Sequence, residues 1–153
     1  RDLLIGIRPV SWINDNFAII IVLVATIITF FFKLNFKLIK KLLVLTDAFG
    51  IGFFTIVGLQ IALQAGISEG YALIMGVITA TFGGLLADVL CNSVPNLLKP
   101  GELYATACLI GGALYLAMRF FKINHELSMI ICVLITAAIR IYSIRKKLQL
   151  PVI

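Results

Sequence analysis

Gly70-Tyr-Ala-Leu-Ile-Met-Gly-Val-Ile-Thr-Ala-Thr-Phe-Gly-Gly-Leu-Leu-Ala-Asp88 is an apolar stretch that carries an adjacent glycine pair, Gly83-Gly84, and ends on a carboxylate. Lipid offers no water to loose backbone groups, so a break in such a stretch is tolerated only where it packs in protein or lines a wet cavity. The glycine pair predicts a helix broken or kinked at membrane depth. Asp88 beyond it is the group a solute pathway would use, because carboxylates inside membranes are costly and functional by default. The bland alternative for adjacent glycines is close helix packing, since small residues let transmembrane backbones approach.

Four more apolar stretches surround this one. The expected membrane spans are residues 16–32, 48–68, 70–94, 103–121 and 126–144, within a single transmembrane domain over 1–153. Residues 1–15 read as the end of a preceding helix and its loop, and 145–153 as a cytoplasmic tail. Most of these spans lie close to the roughly 17-residue minimum for crossing a bilayer. Asp47 stands at the start of the second span, where a carboxylate suits a helix N-terminus. Pro95 and Pro100 mark the loop after the third. Gly50, Gly52, Gly58, Gly111 and Gly112 read as packing positions. Thr55, Gln60, Thr79 and Thr81 read as interhelical hydrogen bonds or bonds back to the preceding turn.

Composition agrees with a membrane domain. The chain is 61% hydrophobic with a mean hydropathy of +1.12, and 13% of it is charged, against roughly a quarter in soluble domains. A net charge of +6 could serve nucleic acid, but the basic residues lie in short runs between the spans, so no nucleic-acid partner is expected. Five crossings place Lys33, Lys37, Lys40, Lys41, Lys99, Arg140, Arg145, Lys146 and Lys147 on one side, and Arg1, Arg8, Arg119 and Lys122 on the other. The richer side is cytoplasmic, which puts the C-terminus there. Trp12 fits an interfacial anchor, Lys37, Lys40 and Lys41 are candidates for contact with anionic lipid, and Arg140 reads as a snorkelling side chain. Cys91, Cys108 and Cys132 show no ligand spacing and read as ordinary packing. His125 has no second His or Cys near it, so neither a metal nor a resident cofactor is expected. No catalytic constellation is present in the sequence, and an enzyme is not expected.

An internal repeat gives the topology. Arg1-Asp-Leu-Leu-Ile-Gly-Ile-Arg-Pro9 lies over Ala87-Asp-Val-Leu-Cys-Asn-Ser-Val-Pro95, matching Asp2 with Asp88, Leu4 with Leu90 and Pro9 with Pro95. Three spans separate the copies. An odd number of crossings inverts the second copy, and inverted repeats in transporters place the solute site near the repeat interface. Asp2 and Asp88 would then approach a pathway from opposite faces, with Arg1 pairing with Asp2 or shaping a constriction.

Asp47-Ala-Phe-Gly50, Gly58-Leu-Gln60, Phe82-Gly-Gly84, Asp88-Val-Leu-Cys-Asn92, Pro95 and Glu102-Leu-Tyr-Ala-Thr106 together resemble the bacterial UPF0126 proteins. That family is also labelled by a glycine-transporter domain and is similar to the trimeric intracellular cation (TRIC) channels. The resemblance covers essentially the whole chain. It implies an all-α protomer of two inverted three-helix repeats plus a final helix, assembling as a homotrimer in the bacterial inner membrane, with a pore in each protomer and glycine-rich kinks shaping it. It also implies that Arg1-Asp2 ends a Gly-Gly-Gly-x-x-Arg-Asp motif, so that about one and a half helices precede this sequence. In animal relatives basic residues near the kinks are implicated in phosphoinositide binding, and Ala87 removes the one that the second repeat would supply. The expected function is a channel for monovalent cations, potassium first and sodium second. The alternatives are a secondary transporter for a small solute such as glycine, and a membrane scaffold.

Overall fold

The computed structural model describes residues 1–8, 16–31, 36–95 and 103–146, and every regular element among them is helical. The helices are α1 (Asp2–Ile5), α2 (Asn16–Phe31), α3 (Phe36–Gln64), α4 (Glu69–Leu90), α5 (Ala105–Phe120) and α6 (His125–Lys146). The stretches Leu42–Gln64, Glu69–Leu90 and His125–Lys146 are long and apolar enough to cross a membrane, and Ile19–Thr29 and Ala105–Phe120 are shorter apolar helices. Trp12, Lys33, Lys99 and the tail from Lys147 lie outside the described residues. The chain divides into two units, Arg1–Leu43 and Val44–Ile153.

In the first unit, α1 closes on Gly6, whose φ of 79° is left-handed. The Ile5 amide donates to the Arg1 carbonyl at 3.0 Å and the Ile7 amide to the Asp2 carbonyl at 2.9 Å. The Arg1 guanidinium donates to the Asp2 carboxylate, with Nε 2.6 Å from Oδ1, and Asp2 is buried. Along α2, Phe17 and most of the aliphatic side chains from Ile19 to Ile28 are exposed, a surface suited to lipid.

The second unit packs α3 from Val44 onward with α4, α5 and α6. Glycine seams draw these helices together. A Cβ at Gly76 on α4 would stand 2.5 Å from the Thr55 carbonyl oxygen of α3, and one at Gly52 on α3 would stand 2.9 Å from the Val133 carbonyl oxygen of α6. Gly58 faces Thr79, Gly111 faces Thr136, and Gly112 faces Leu73. Gly52, Gly58, Gly111 and Gly112 are therefore packing positions, as expected, whereas Gly50 has open space around it. The hydroxyls of Thr55, Thr79 and Thr81 each donate to the carbonyl four residues earlier, at 2.6, 2.6 and 2.8 Å. Cys108 and Cys132 are buried, but Cys91 caps α4 and is exposed.

The repeat is visible in the backbone. At the end of α4 the Cys91 amide donates to the Ala87 carbonyl at 3.0 Å and the Ser93 amide to the Asp88 carbonyl at 2.9 Å. Asn92, with φ 51°, occupies the left-handed position held by Gly6 in the first copy. Each of these residues lies 86 after its counterpart (91 − 5, 92 − 6, 93 − 7). Such a helix ending needs a residue tolerant of the left-handed region, and Gly and Asn are the two that meet it most readily. The spans that follow, α2 and α5, are each 16 residues long.

Two expectations need correction. The helix through Gly83-Gly84 is not broken: α4 runs without interruption from Glu69 to Leu90. Glycines weaken a helix by about 1 kcal/mol each in water, but at membrane depth a backbone group has no competing solvent partner, so the ladder persists. Asp47 does not start a helix either. It lies inside α3, which begins at Phe36 and carries Lys37, Lys40 and Lys41 ahead of its apolar part. Lysines end an apolar stretch without ending a helix, because they are good helix formers.

These packing distances set opposite expectations for two glycines of one helix. Gly76→Ala should lower stability by about 1–3 kcal/mol, because the new methyl meets fixed backbone. Gly83→Ala, with open space around it, should raise stability by up to about 1 kcal/mol. Thermal unfolding of both variants in detergent checks the pair; equal shifts would contradict it.

Candidate functional site

Asp47, Tyr104 and Arg140 come from three separate parts of the second unit and meet beside the glycine pair of α4. Tyr104 immediately precedes α5 and is buried. Its hydroxyl donates to Asp47 Oδ1 on α3 at 3.1 Å. The Arg140 guanidinium of α6 lies over the Tyr104 ring, with Cζ 4.4 Å from the centroid, well inside cation–π range. A Cβ at Gly84 would stand 3.4 Å from the same hydroxyl, so the backbone of α4 passes close to the phenol. One aromatic ring thus holds a carboxylate at its edge and a cation on its face.

The local sequence explains how Arg140 reaches this position. Ser128, Cys132, Thr136 and Arg140 recur every four residues on α6, and all four are buried, Arg140 to 4% exposure. Residues four apart share a helix face. Small side chains along that face let α6 approach Gly52 and Gly111, and the stripe carries Arg140 inward with it. Arg140 therefore does not snorkel, which corrects the sequence expectation. The Ser-Cys-Thr-Arg stripe was the signal that could have shown this. Beneath the ring lies a small apolar cluster of Ile51, Val77, Ala80 and Cys108. Removing water there strengthens any charge interaction the polar groups make.

Of the carboxylates and glycines singled out in the sequence, Asp47 and Gly84 are joined through Tyr104. Gly83 has open space beside it. Asp88 sits near the end of α4, partly buried, where the Ser93 hydroxyl donates to its carbonyl at 3.0 Å. Arg1 and Asp2 belong to the first unit and form an ion pair with each other. Lys37, Lys40 and Lys41 lie in the first turns of α3. No group of three or more His, Cys, Asp or Glu side chains that could hold a metal occurs among the described residues.

Helices long and apolar enough to cross lipid, a repeat closed by the same backbone hydrogen bonds at both copies, and a polar cluster beside paired glycines define a polytopic α-helical membrane protein. The family model described as "Glycine transporter" matches residues 44–119. The UPF0126 inner membrane protein YadS of Escherichia coli (strain K12) is 33% identical over 153 residues, covering 99% of this chain and 73% of that protein. A UPF0126 membrane protein of Vibrio cholerae serotype O1 is 34% identical over 152 residues, covering 99% of this chain and 63% of that protein. The chain belongs to the UPF0126 membrane protein family.

Solved structures share its fold. One, described as the structural basis for conductance through TRIC cation channels, superposes with a TM-score of 0.87 at 32% identity, covering 99% of this chain and 74% of that one. The TRIC trimeric intracellular cation channel orthologue from Rhodobacter sphaeroides gives 0.86 at 33% identity, covering 96% of this chain and 75% of that one. The fold is therefore TRIC-like and all-helical.

Tyr104→Phe removes one hydrogen bond to a carboxylate and should cost about 1–2 kcal/mol. Arg140→Lys keeps the charge but loses the planar face, and should cost about 1 kcal/mol. Unfolding midpoints of the two variants check both; unchanged midpoints would mean that the cluster is incidental to the fold.

Proposed function

We propose that this protein is a membrane channel for monovalent cations, with potassium the expected ion, acting as a homotrimer with one pathway in each protomer. The observation that carries the reading is the Asp47–Tyr104–Arg140 cluster beside Gly84, on a fold shared with TRIC cation channels. Gly83 and Gly84 offer a helix surface without side chains, where backbone carbonyls come within reach of an ion that has shed part of its water. Asp88 and Asp47 supply negative charge that favours cations and disfavours chloride. Arg140, stacked on Tyr104, balances that charge and limits how strongly an ion is held, since conduction needs release as well as binding. Asp2, the repeat equivalent of Asp88, is paired with Arg1 in the first unit. The membrane is the bacterial inner membrane, with the C-terminus cytoplasmic, a reading supported by the inner-membrane relative and by the distribution of Lys and Arg. The transported ion is the ligand in this reading, and no resident cofactor takes part.

The family description favours a second reading, secondary transport of a small solute such as glycine. Inverted repeats support alternating access as readily as a fixed pore.

Flux from potassium-loaded liposomes separates the two. The protein should release potassium at a rate that does not saturate with concentration in the way a carrier does. Asp88→Asn and Gly83→Leu should each lower potassium flux or the preference over chloride several-fold. Unaltered flux in both variants would contradict the channel mechanism, and saturable, exchange-stimulated glycine uptake would favour the carrier.

A further inference from the structure

The other end of the second unit carries a second polar cluster, outside the proposed pathway. Tyr115 lies eleven residues after Tyr104 along α5 (115 − 104), roughly 16 Å of helix, and His125 lies fifteen before Arg140 along α6 (140 − 125), roughly 22 Å. A half-open cleft of about 400 Å³ sits there, and its polar lining is Gln60, Gln64, Tyr115, Arg119, His125 and Ser128. We propose that this cleft binds a phosphate oxyanion.

The lining supplies donors and lacks an acid. Gln60 Nε2 donates to the Tyr115 hydroxyl oxygen at 3.1 Å, and that oxygen lies 2.8 Å from His125 Nδ1. In the tautomer where the phenol proton points to Nδ1, Nε2 carries the N–H of the ring and faces a ligand as a donor. The hydrogen-bond chain runs from α3 through α5 to α6, so it fixes the cleft walls relative to one another. The Tyr115 and His125 rings also meet edge to face at 6.0 Å. Arg119 supplies a guanidinium, which matches phosphate oxygens in pairs. No Asp or Glu lines the cleft, and Arg119 has no ion-pair partner among the described residues. A cation would find no counter-charge here, whereas an oxyanion finds a guanidinium, an imidazole N–H and amide donors.

The surroundings admit two sources of the same chemistry. Phe120 and Phe121, directly after Arg119, are 83% and 73% exposed. Aromatic side chains beside basic ones collect at the headgroup level of a bilayer, which suits a lipid phosphate. The half-open cleft also admits free phosphate from water.

The test uses the purified protein in nanodiscs of phosphatidylcholine, with inorganic phosphate titrated against chloride at matched ionic strength, and a parallel set of nanodiscs containing phosphatidic acid. A ligand that binds the folded state raises the unfolding midpoint saturably. Stabilisation by inorganic phosphate supports a soluble ligand; stabilisation by phosphatidic acid alone supports a lipid headgroup. In either case Arg119→Gln should weaken the apparent affinity about tenfold or more, and His125→Gln should weaken it in the same direction. Arg119 is exposed, so its replacement leaves the fold intact. The proposal is overturned if neither phosphate source stabilises the protein beyond chloride, or if Arg119→Gln responds as the unaltered protein does.

Discussion

Backbone hydrogen bonding in lipid is the constraint on which the rest of this structure depends. A chain that crosses a membrane must satisfy each amide and carbonyl internally, and α4 shows the consequence at its least favourable point. Two adjacent glycines, which in water would invite a break, remain inside one continuous helix. Threonine hydroxyls obey the same rule. Those of Thr55, Thr79, Thr81 and Thr136 all donate to carbonyls one turn back rather than standing open as ligands. Because the helices persist, the glycines act through their surfaces. Some become seams where neighbouring helices touch, and Gly83 remains without a neighbour.

The seams divide the second unit into a tight middle and two polar ends. Gly52, Gly58, Gly76, Gly111 and Gly112 bring α3, α4, α5 and α6 into contact through the middle. At one end Tyr104 joins Asp47 to Arg140, and at the other Tyr115 joins Gln60 to His125. Each tyrosine presents an apolar ring to the packed interior and a hydroxyl to polar partners, a division suited to the boundary between lipid and water. Small residues and polar clusters are therefore two parts of one design. Close approach in the middle sets the helix positions that let side chains from three helices meet at the ends.

Much of the fold was legible in the sequence. Apolar length gave the helices, and the match of Asp2, Leu4 and Pro9 to Asp88, Leu90 and Pro95 gave a repeat that the backbone reproduces at Gly6 and Asn92. Helix limits were less legible where charge and helix part company, as at Phe36, because lysines leave the hydrocarbon without leaving the helix. The site was half legible. Asp47 and Gly84 stood out as a carboxylate and a glycine in apolar sequence, but their link through Tyr104 depends on how α3, α4 and α5 pack, and no local pattern encodes that. Arg140 was misread because nearness to a basic helix end outweighed the four-residue stripe that turns it inward. Gln60 lies 55 residues before Tyr115, and their meeting, with His125 closing the group, is a product of tertiary structure.

The most direct test of the account is single-channel recording of the purified protein in a planar bilayer under a potassium chloride gradient. Discrete current steps that reverse close to the potassium equilibrium potential are the predicted result. A bilayer that stays silent while the same preparation accumulates glycine in liposomes would contradict it, and would make the glycine pair and its polar neighbours parts of a carrier.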